Sequence, residues 1–428
     1  MAQNNLRAAV CELLLRCEAA QQYSNIALDT ALSRGNFTGA DRGLFTALFY
    51  GVTEHRITLD HVIDTHAKLP ASKIEPRVRA ALRLGLCQLL YFDRIPDHAA
   101  INESVSLVPQ RSRGFVNAIL RNFLRADKQI SLPDKTTDPV RYLSLCYSIN
   151  EDLAEAFLRI WGPAEAEDQL IAFSRIPDVT VRVNTKKMTR DAWLETFGGT
   201  PTKYAPHGVK LTDGATLQKA LSEGLCFVQD EASQICVAAL DAHGHRVLDL
   251  CAAPGSKSFG AALDGATEVH SFDLHENKIS LIRRGAKTLG IENLTAAARD
   301  AKTASPETTG VFSRVICDVP CSGFGVLAKK PDIRYKDVAS AAGLPKIQRD
   351  ILERAALCVE NGGVLVYSTC TVLPAENEEL VNAFLADHKE FSLVPFSVGE
   401  LHVNGMITLT PHTHGTDGFF LAKMQKGQ

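Results

Sequence analysis

Two cysteines and one aspartate hold most of the chemistry in this sequence. The stretch DVPCSG, residues 318–323, places Asp318 and Cys321 just after a short apolar run, residues 314–317. A second run, VLVYSTC, ends at Cys370. Both runs read as buried strands, so the thiols and the carboxylate are expected at neighbouring strand ends. A thiolate is a nucleophile, and an acid beside it can neutralise charge that develops on a substrate, which is what covalent catalysis requires. A buried cysteine is ordinarily an inert apolar residue. Cys317, inside its strand, fits that description; Cys321 and Cys370, outside theirs and beside Asp318, do not. On residue grounds alone either thiol can be the attacking one.

From Arg246 onward strands and helices alternate, which predicts a doubly wound sheet with helices on both faces. Its strand ends bring together Asp249, Cys251, Asp273, Asp300, Asp318 and Cys370. Ligands of such sheets bind outside the carboxyl ends of the strands. Buried carboxylates are costly without donors, and ribose hydroxyls and an adenine amino group would supply them. Asp273 follows the first turn by roughly the 20 residues expected of a ribose-binding acid. The turn itself is Cys251, Ala252, Ala253, Pro254, Gly255, Ser256 and Lys257. It lacks the glycines and the lysine context of phosphate-binding loops. It suits an adenosine ligand without phosphates, namely S-adenosylmethionine. Asp273, Asp300 and Asp318 complete that cofactor set, Cys251 lines the cofactor's side, and Lys257 is expected to reach its carboxylate or cap the loop.

The elements that must position these groups fall into three segments. The 428 residues exceed one ordinary core. Residues 1–128 are expected to be an all-α bundle, with Pro76 opening a helix. Residues 127–140, polar with two prolines, read as a linker. Residues 141–240 form an expected α+β middle domain, in which a strand at 179–185 pairs with GVKLTD and CFVQD, and Asp230 caps a helix. Residues 241–428 form the α/β domain, closed by DGFFLAKM as an edge strand.

Composition narrows the function classes. With 45% hydrophobic and 22% charged residues the chain reads as soluble and globular, with no apolar run of membrane-spanning length. Glu12, Arg16 and Glu18 interrupt any signal-peptide pattern at the start. Eleven cysteines without such a signal imply free thiols in a reducing, cytoplasmic compartment. Cys317 and Cys321 are a poor zinc signature without a second ligand pair, so no metal is expected. The net charge of −3 is uninformative, but residues 1–128 hold 16 Lys/Arg against 12 Asp/Glu. RSRGFVNAILRNFLR contributes Arg111, Arg113, Arg121 and Arg125 with no acid, and Asn117, Arg121 and Arg125 share one helix face. Lys329, Lys330 and Arg334 follow the DVPCSG stretch. These seven cations are the candidate RNA contacts. No long apolar surface pattern is left over, so a monomer is expected.

LDLCAAPGSKS, DVPCSGFGVLAKKPDIR and YSTCTVLPAENEE resemble the RNA cytosine-C5 methyltransferases of the Fmu/Sun family. RVN at 182–184 and the closing DGFFLAKM look like the same family. The N-terminal segment, from DRGLFTALFYGV to SRGFVNAILRNFLR, resembles a NusB-like RNA-binding domain. The resemblance covers nearly the whole chain. It departs at Ser256, where the family usually has Gly, and at Val319, where it usually has Ala. It implies a Rossmann-like methyltransferase domain, S-adenosylmethionine as methyl donor and a cytosine in small-subunit ribosomal RNA as target. It further implies that a thiol adds to C6, that C5 takes the methyl, and that loss of the C5 proton expels the thiol. It assigns the attack to Cys370, product release to Cys321, and charge neutralisation near N3 to Asp318. DNA cytosine methyltransferases attack with a Pro-Cys thiol, which keeps Cys321 open as the alternative nucleophile. A tRNA target, or a non-catalytic NusB-like antitermination factor, are the rival functions. The second has no need of two thiols beside an acid.

Overall fold

The computed structural model describes residues 6–20, 24–35, 37–212 and 217–428. The chain divides into two units: Met1–Ser174 with Leu327–Val338, and Arg175–Val326 with Ala339–Gln428. The first unit holds the helices α1 (Leu6–Ala20), α2 (Ser24–Arg34), α3 (Gly39–Glu54), α4 (Arg56–His66), α5 (Pro76–Tyr91), α6 (Asp97–Ser106), α7 (Gln110–Arg125), α8 (Pro139–Tyr147) and α9 (Glu151–Phe173). The apolar stripes of α1 to α7 meet in one core that includes Val10, Leu48, Phe49, Leu82, Leu86 and Phe123. On α7 that stripe is Val116, Ile119, Leu120 and Phe123. Arg111, Arg113, Arg121 and Arg125 therefore stay exposed. α9 breaks at Gly162, whose φ of 76° no helix contains, just before Pro163. The sequence expected two helices there, in the middle segment; both group with the first unit.

Leu327–Val338 is a strap that the second unit's chain lends to this bundle. Its side chains are anchors. The Asp332 carboxylate accepts from Ser24 N (3.0 Å) and Ser24 Oγ (2.5 Å) at the start of α2. The Arg56 guanidinium lies 3.9 Å from the Tyr335 ring centroid. Arg334, expected to meet RNA, is 1% exposed. It donates to Glu54 Oε1 (3.1 Å), Tyr147 O (2.9 Å) and Phe173 O (2.9 Å). The expectation is overturned because this guanidinium satisfies helix-end carbonyls that would otherwise be buried without donors. Lys330 remains exposed.

In the second unit, β1 (Val179–Val183), β2 (Thr200–Pro201), β3 (Gly208–Leu211) and β4 (Cys226–Val228) form an antiparallel sheet in the order β2-β3-β1-β4. The RVN residues fasten it: Arg182, 2% exposed, pairs with Asp264, and Asn184 Nδ2 donates to Gly224 O (2.9 Å) and Leu289 O (2.8 Å). The large sheet contains β5 (Arg246–Asp249), β6 (Glu268–Asp273), β7 (Leu294–Ala298), β8 (Phe312–Asp318) and β9 (Val359–Thr369). These five are parallel in the order β9-β8-β5-β6-β7. β10 (Phe391–Leu393), β13 (Met406–Leu409) and β14 (Phe419–Lys426) extend it antiparallel beyond β9, while β11 (Phe396–Val398) and β12 (Leu401–Val403) make a separate ribbon. The sequence expected β14 at an edge. It lies inside, between β9 on one side and β10 and β13 on the other. Its unbroken run Phe419, Phe420, Leu421 and Ala422, all buried, is what a strand covered on both faces requires.

The strap yields a test. Arg334→Ala leaves Glu54 and two carbonyls without their donor, and should lower unfolding stability by about 3 kcal/mol. Urea denaturation followed by circular dichroism measures it; a loss below about 1 kcal/mol would mean the cation is only surface decoration.

Candidate active site

Strand order reverses between β5 and β8, so the crevice of this sheet opens at their carboxyl ends. Parallel pairing sets Asp318 of β8 beside Ser368 of β9. The Ser368 hydroxyl donates to Asp318 Oδ1 at 2.7 Å. The other oxygen, Oδ2, accepts from Lys257 Nζ at 2.6 Å. Lys257 belongs to α13 (Ser256–Leu263) and is 8% exposed. Burial works against its ammonium, but Asp318, with Cys236 and Asp249 adding to it, holds Lys257 above the ordinary lysine range. The sequence expected Lys257 to meet a cofactor carboxylate or to cap its loop. It meets Asp318 instead, because a buried ammonium needs a counter-charge and the strand-end acid supplies one.

Beyond these strand ends the two thiols converge. Cys321 Sγ and Cys370 Sγ lie 3.2 Å apart, and Cys370 N–H donates to Cys321 Sγ at 3.3 Å. The Cys321 thiol is pushed well above its usual range, first by its hydrogen bond to Cys370, then by burial, with Glu376 adding to both. Either sulfur can be the donor in this contact. Cys317 is fully buried and burial pushes its thiol up. Cys251 is also pushed up by burial, and further by Asp249, Asp318 and Asp273. The loop after Cys321 is pinned by a close backbone approach. Gly325 N–H donates to Cys370 O (3.0 Å), and Gly418 N–H donates to Gly325 O (2.8 Å). A Cβ on Gly325 would come within 1.9 Å of Gly418 O. Only glycine lets the Cys321 loop, the Cys370 turn and the start of β14 meet.

A layer of polar side chains behind the thiols was not anticipated from the sequence. Glu376, Gln348, Asn377, Ser322, Thr369 and Thr371 are all buried and hydrogen-bonded to one another or to the thiol-bearing turns. Glu376 sits in an acid-rich run with Glu378 and Glu379, so its residue type alone gave no sign. Its place just after the Cys370 turn was the available signal.

On the other side of β5 the loop from Cys251 to Gly255 turns tightly. Ala252 N–H donates to Phe272 O (2.8 Å) and Gly255 N–H to Ala252 O (2.7 Å). Gly255 adopts φ +113°, and a Cβ there would lie 2.5 Å from the Phe259 ring. Asp273, at the end of β6, accepts from Ala253 N (3.2 Å) and His275 N (3.3 Å), tying this loop to the next strand end. Asp300 accepts from Lys302 N (2.9 Å) and borders a cleft of about 470 Å³ with Leu250, Phe272, Arg299 and Ala301. Apolar Leu250, Phe272 and Ala301 beside the Asp300 carboxylate fit an apolar-faced group with hydrogens to give, such as a nucleoside moiety.

Asp249 differs from the other strand-end acids. It is 0% exposed, and Ser258 Oγ donates to its Oδ2 at 2.7 Å. Ser271 Oγ donates in turn to Ser258 Oγ at 2.8 Å. Burial pushes its carboxyl from 3.8 up to about 7, only partly offset by the Ser258 hydrogen bond. Asp249 therefore braces the loop from inside the domain. The folded protein keeps a proton here that the unfolded chain has released, so this contribution to stability is complete below pH 3.8 and lost as pH rises through about 7. Asp249→Asn removes the ionisation. Its stability relative to wild type should rise between those two pH values and level off above them, read as urea midpoints across pH. Parallel curves would contradict the assignment.

Comparison with known proteins identifies the family. The family model for 16S rRNA methyltransferase RsmB/F matches residues 237–425, and the NusB family model matches residues 4–125. A Bacillus subtilis (strain 168) protein, "Probable ribosomal RNA small subunit methyltransferase B", is 35% identical over 456 residues, covering 100% of both chains. The ribosomal RNA small subunit methyltransferase B of Salmonella arizonae is 31% identical, covering 99% of each. The crystal structure of PH0851 superposes with a TM-score of 0.78 at 26% identity, covering 100% of both chains. The chain belongs to the RsmB/F family of 16S rRNA methyltransferases, with a NusB-family helical unit at its N-terminal end.

Proposed function

We propose that the protein methylates C5 of a cytosine in small-subunit ribosomal RNA, with S-adenosylmethionine as methyl donor and Cys370 as covalent nucleophile. The observation that carries this reading is the thiol pair: two sulfurs 3.2 Å apart beyond the strand that ends in Asp318.

C5 of cytosine is a weak nucleophile. Addition of the Cys370 sulfur to C6 makes C5 enamine-like and able to accept an electrophilic methyl group. The Lys257–Asp318 pair, with Ser368 as support, faces the charge that develops on the pyrimidine ring; Lys257 supplies the positive end and Asp318 aims it. After methylation a water takes the C5 proton. The C–H electrons then re-form the C5–C6 double bond, and the bond from C6 to Cys370 Sγ breaks. The Cys321 S–H meets the negative charge returning to Cys370. This places Cys321 in product release as a donor.

S-adenosylmethionine, when bound, supplies the methyl on a positively charged sulfur. Cys251, Ala252, Ala253, Pro254, Gly255 and Ser256 form its cradle, Asp273 takes the ribose hydroxyls, and Asp300 takes the adenine amino group. Asp318 and Lys257 stand where cradle and thiols meet. The exposed arginines of α7, together with Lys329 and Lys330, are assigned to RNA phosphates, which position the RNA without reading its sequence. The target base must be unstacked to meet a thiol at C6.

Labelled methyl transfer to protein-free small-subunit RNA tests this reading. Wild type should form 5-methylcytosine, and Cys370→Ala should form none. Cys321→Ala should transfer about one methyl per enzyme and stall as an RNA–protein adduct. Methylation by Cys370→Ala would reverse the thiol roles. Activity on tRNA with none on ribosomal RNA would keep the chemistry and change the substrate.

A further inference from the structure

Glu376 is a buried carboxylate, 1% exposed, with no salt-bridge partner among the described residues. Such a group is costly unless hydrogen bonds hold it. Its donors all belong to the surroundings of one residue. Ser322 N–H (3.0 Å) and Gln348 Nε2 (2.7 Å) donate to Oε2, and Ser322 O–H (2.5 Å) donates to Oε1. Gln348 Nε2 also donates to Pro320 O at 3.0 Å. Pro320 and Ser322 are the two neighbours of Cys321, so the Cys321 turn is gripped on both sides by one carboxylate and one amide.

The next residue does the same for the other thiol. Asn377 Oδ1 accepts from Thr369 Oγ1 (2.6 Å), and Asn377 Nδ2 donates to Thr371 O (3.0 Å). Thr369 and Thr371 flank Cys370. The Ser322 and Thr371 hydroxyls share a 2.8 Å hydrogen bond that ties the two grips together. Gln348 lies on α16 (Leu344–Leu357), and Glu376 precedes α17 (Glu378–Asp387). The grip is thus anchored on two helices.

We propose that Glu376 is a positioning residue for product release: it fixes the turn on which the Cys321 S–H stays within reach of Cys370 Sγ. The inference rests on the reading of Cys370 as nucleophile and Cys321 as release group. Loss of the grip lets the Cys321 turn drift. A displacement of about 1 Å at a reacting group can cost about 100-fold. The cost falls on departure of the Cys370 sulfur, because attack and methyl transfer do not consume the Cys321 proton.

The test uses the full chain, protein-free small-subunit RNA and labelled S-adenosylmethionine. Glu376→Ala should keep single-turnover methyl transfer within about tenfold of wild type while steady-state turnover falls about 100-fold. A denaturant-resistant RNA–protein adduct should accumulate on gels. Glu376→Gln can still accept from Ser322 N–H and Gln348 and donate to the Ser322 hydroxyl, so it should restore turnover to within about tenfold of wild type. Gln348→Ala loosens the same turn from its other side and should give a smaller build-up of the same adduct; it stands in if Glu376→Ala does not fold. Transfer and turnover falling together without adduct, while Cys321→Ala does accumulate it, would overturn the role of Glu376 and leave the thiol assignment intact. Absence of adduct in Cys321→Ala would overturn both.

Discussion

The contact between Cys321 and Cys370 is the constraint on which the rest of the site depends. Two thiols 3.2 Å apart titrate as a pair, so the state of one bears on the state of the other. The pair exists because β8 and β9 run parallel in a register that sets Asp318 beside Ser368. From that fixed pair of strand ends, one turn reaches Cys321 in three residues and the other reaches Cys370 in two. A change in register would separate the thiols and move Asp318 off Lys257. The backbone closure of Gly325 on Gly418 and on the Cys370 turn then removes the remaining freedom of the loop.

Around this contact the domain places its charges with counterparts. Lys257 and Asp318 satisfy each other. Asp249 is buried with two serines in series behind it. Glu376 is buried among hydroxyl, amide and main-chain donors. Hydrogen-bonded polar networks of this kind restrain their members, because each leaves its partners unpaired if it moves. Asp273 is likewise held, by Ala253 N–H, His275 N–H and the Lys278 ammonium.

Much of this was legible in the sequence, because strand-end chemistry is local. Asp318, Cys321 and Cys370 follow recognisable apolar runs, and the single-glycine turn at Gly255 separates this cradle from a phosphate loop. The alternation after Arg246 gave the sheet, and Pro76 and Asp230 marked helix starts. The misreadings share a physical cause. Arg334 looks like any exposed cation in AKKPDIR, yet tertiary packing buries it under helix-end carbonyls. β14 was expected at an edge because it is last in the chain, although its unbroken apolar run belonged inside the sheet. Lys257 and Glu376 have partners distant in sequence, at Asp318 and at Ser322 and Gln348. Nothing in local composition encodes such pairings. Nor does residue type distinguish the thiols.

The most direct test of the central claim asks which sulfur becomes bonded to the base. Small-subunit RNA in which 5-fluorocytidine replaces cytidine blocks proton loss at C5, so the adduct cannot resolve. Incubation with wild-type protein and S-adenosylmethionine, followed by nuclease and protease digestion and mass spectrometry, locates the modified peptide. The account predicts a fluorinated, methylated pyrimidine on Cys370 and none on Cys321. The same mass on Cys321 would contradict it.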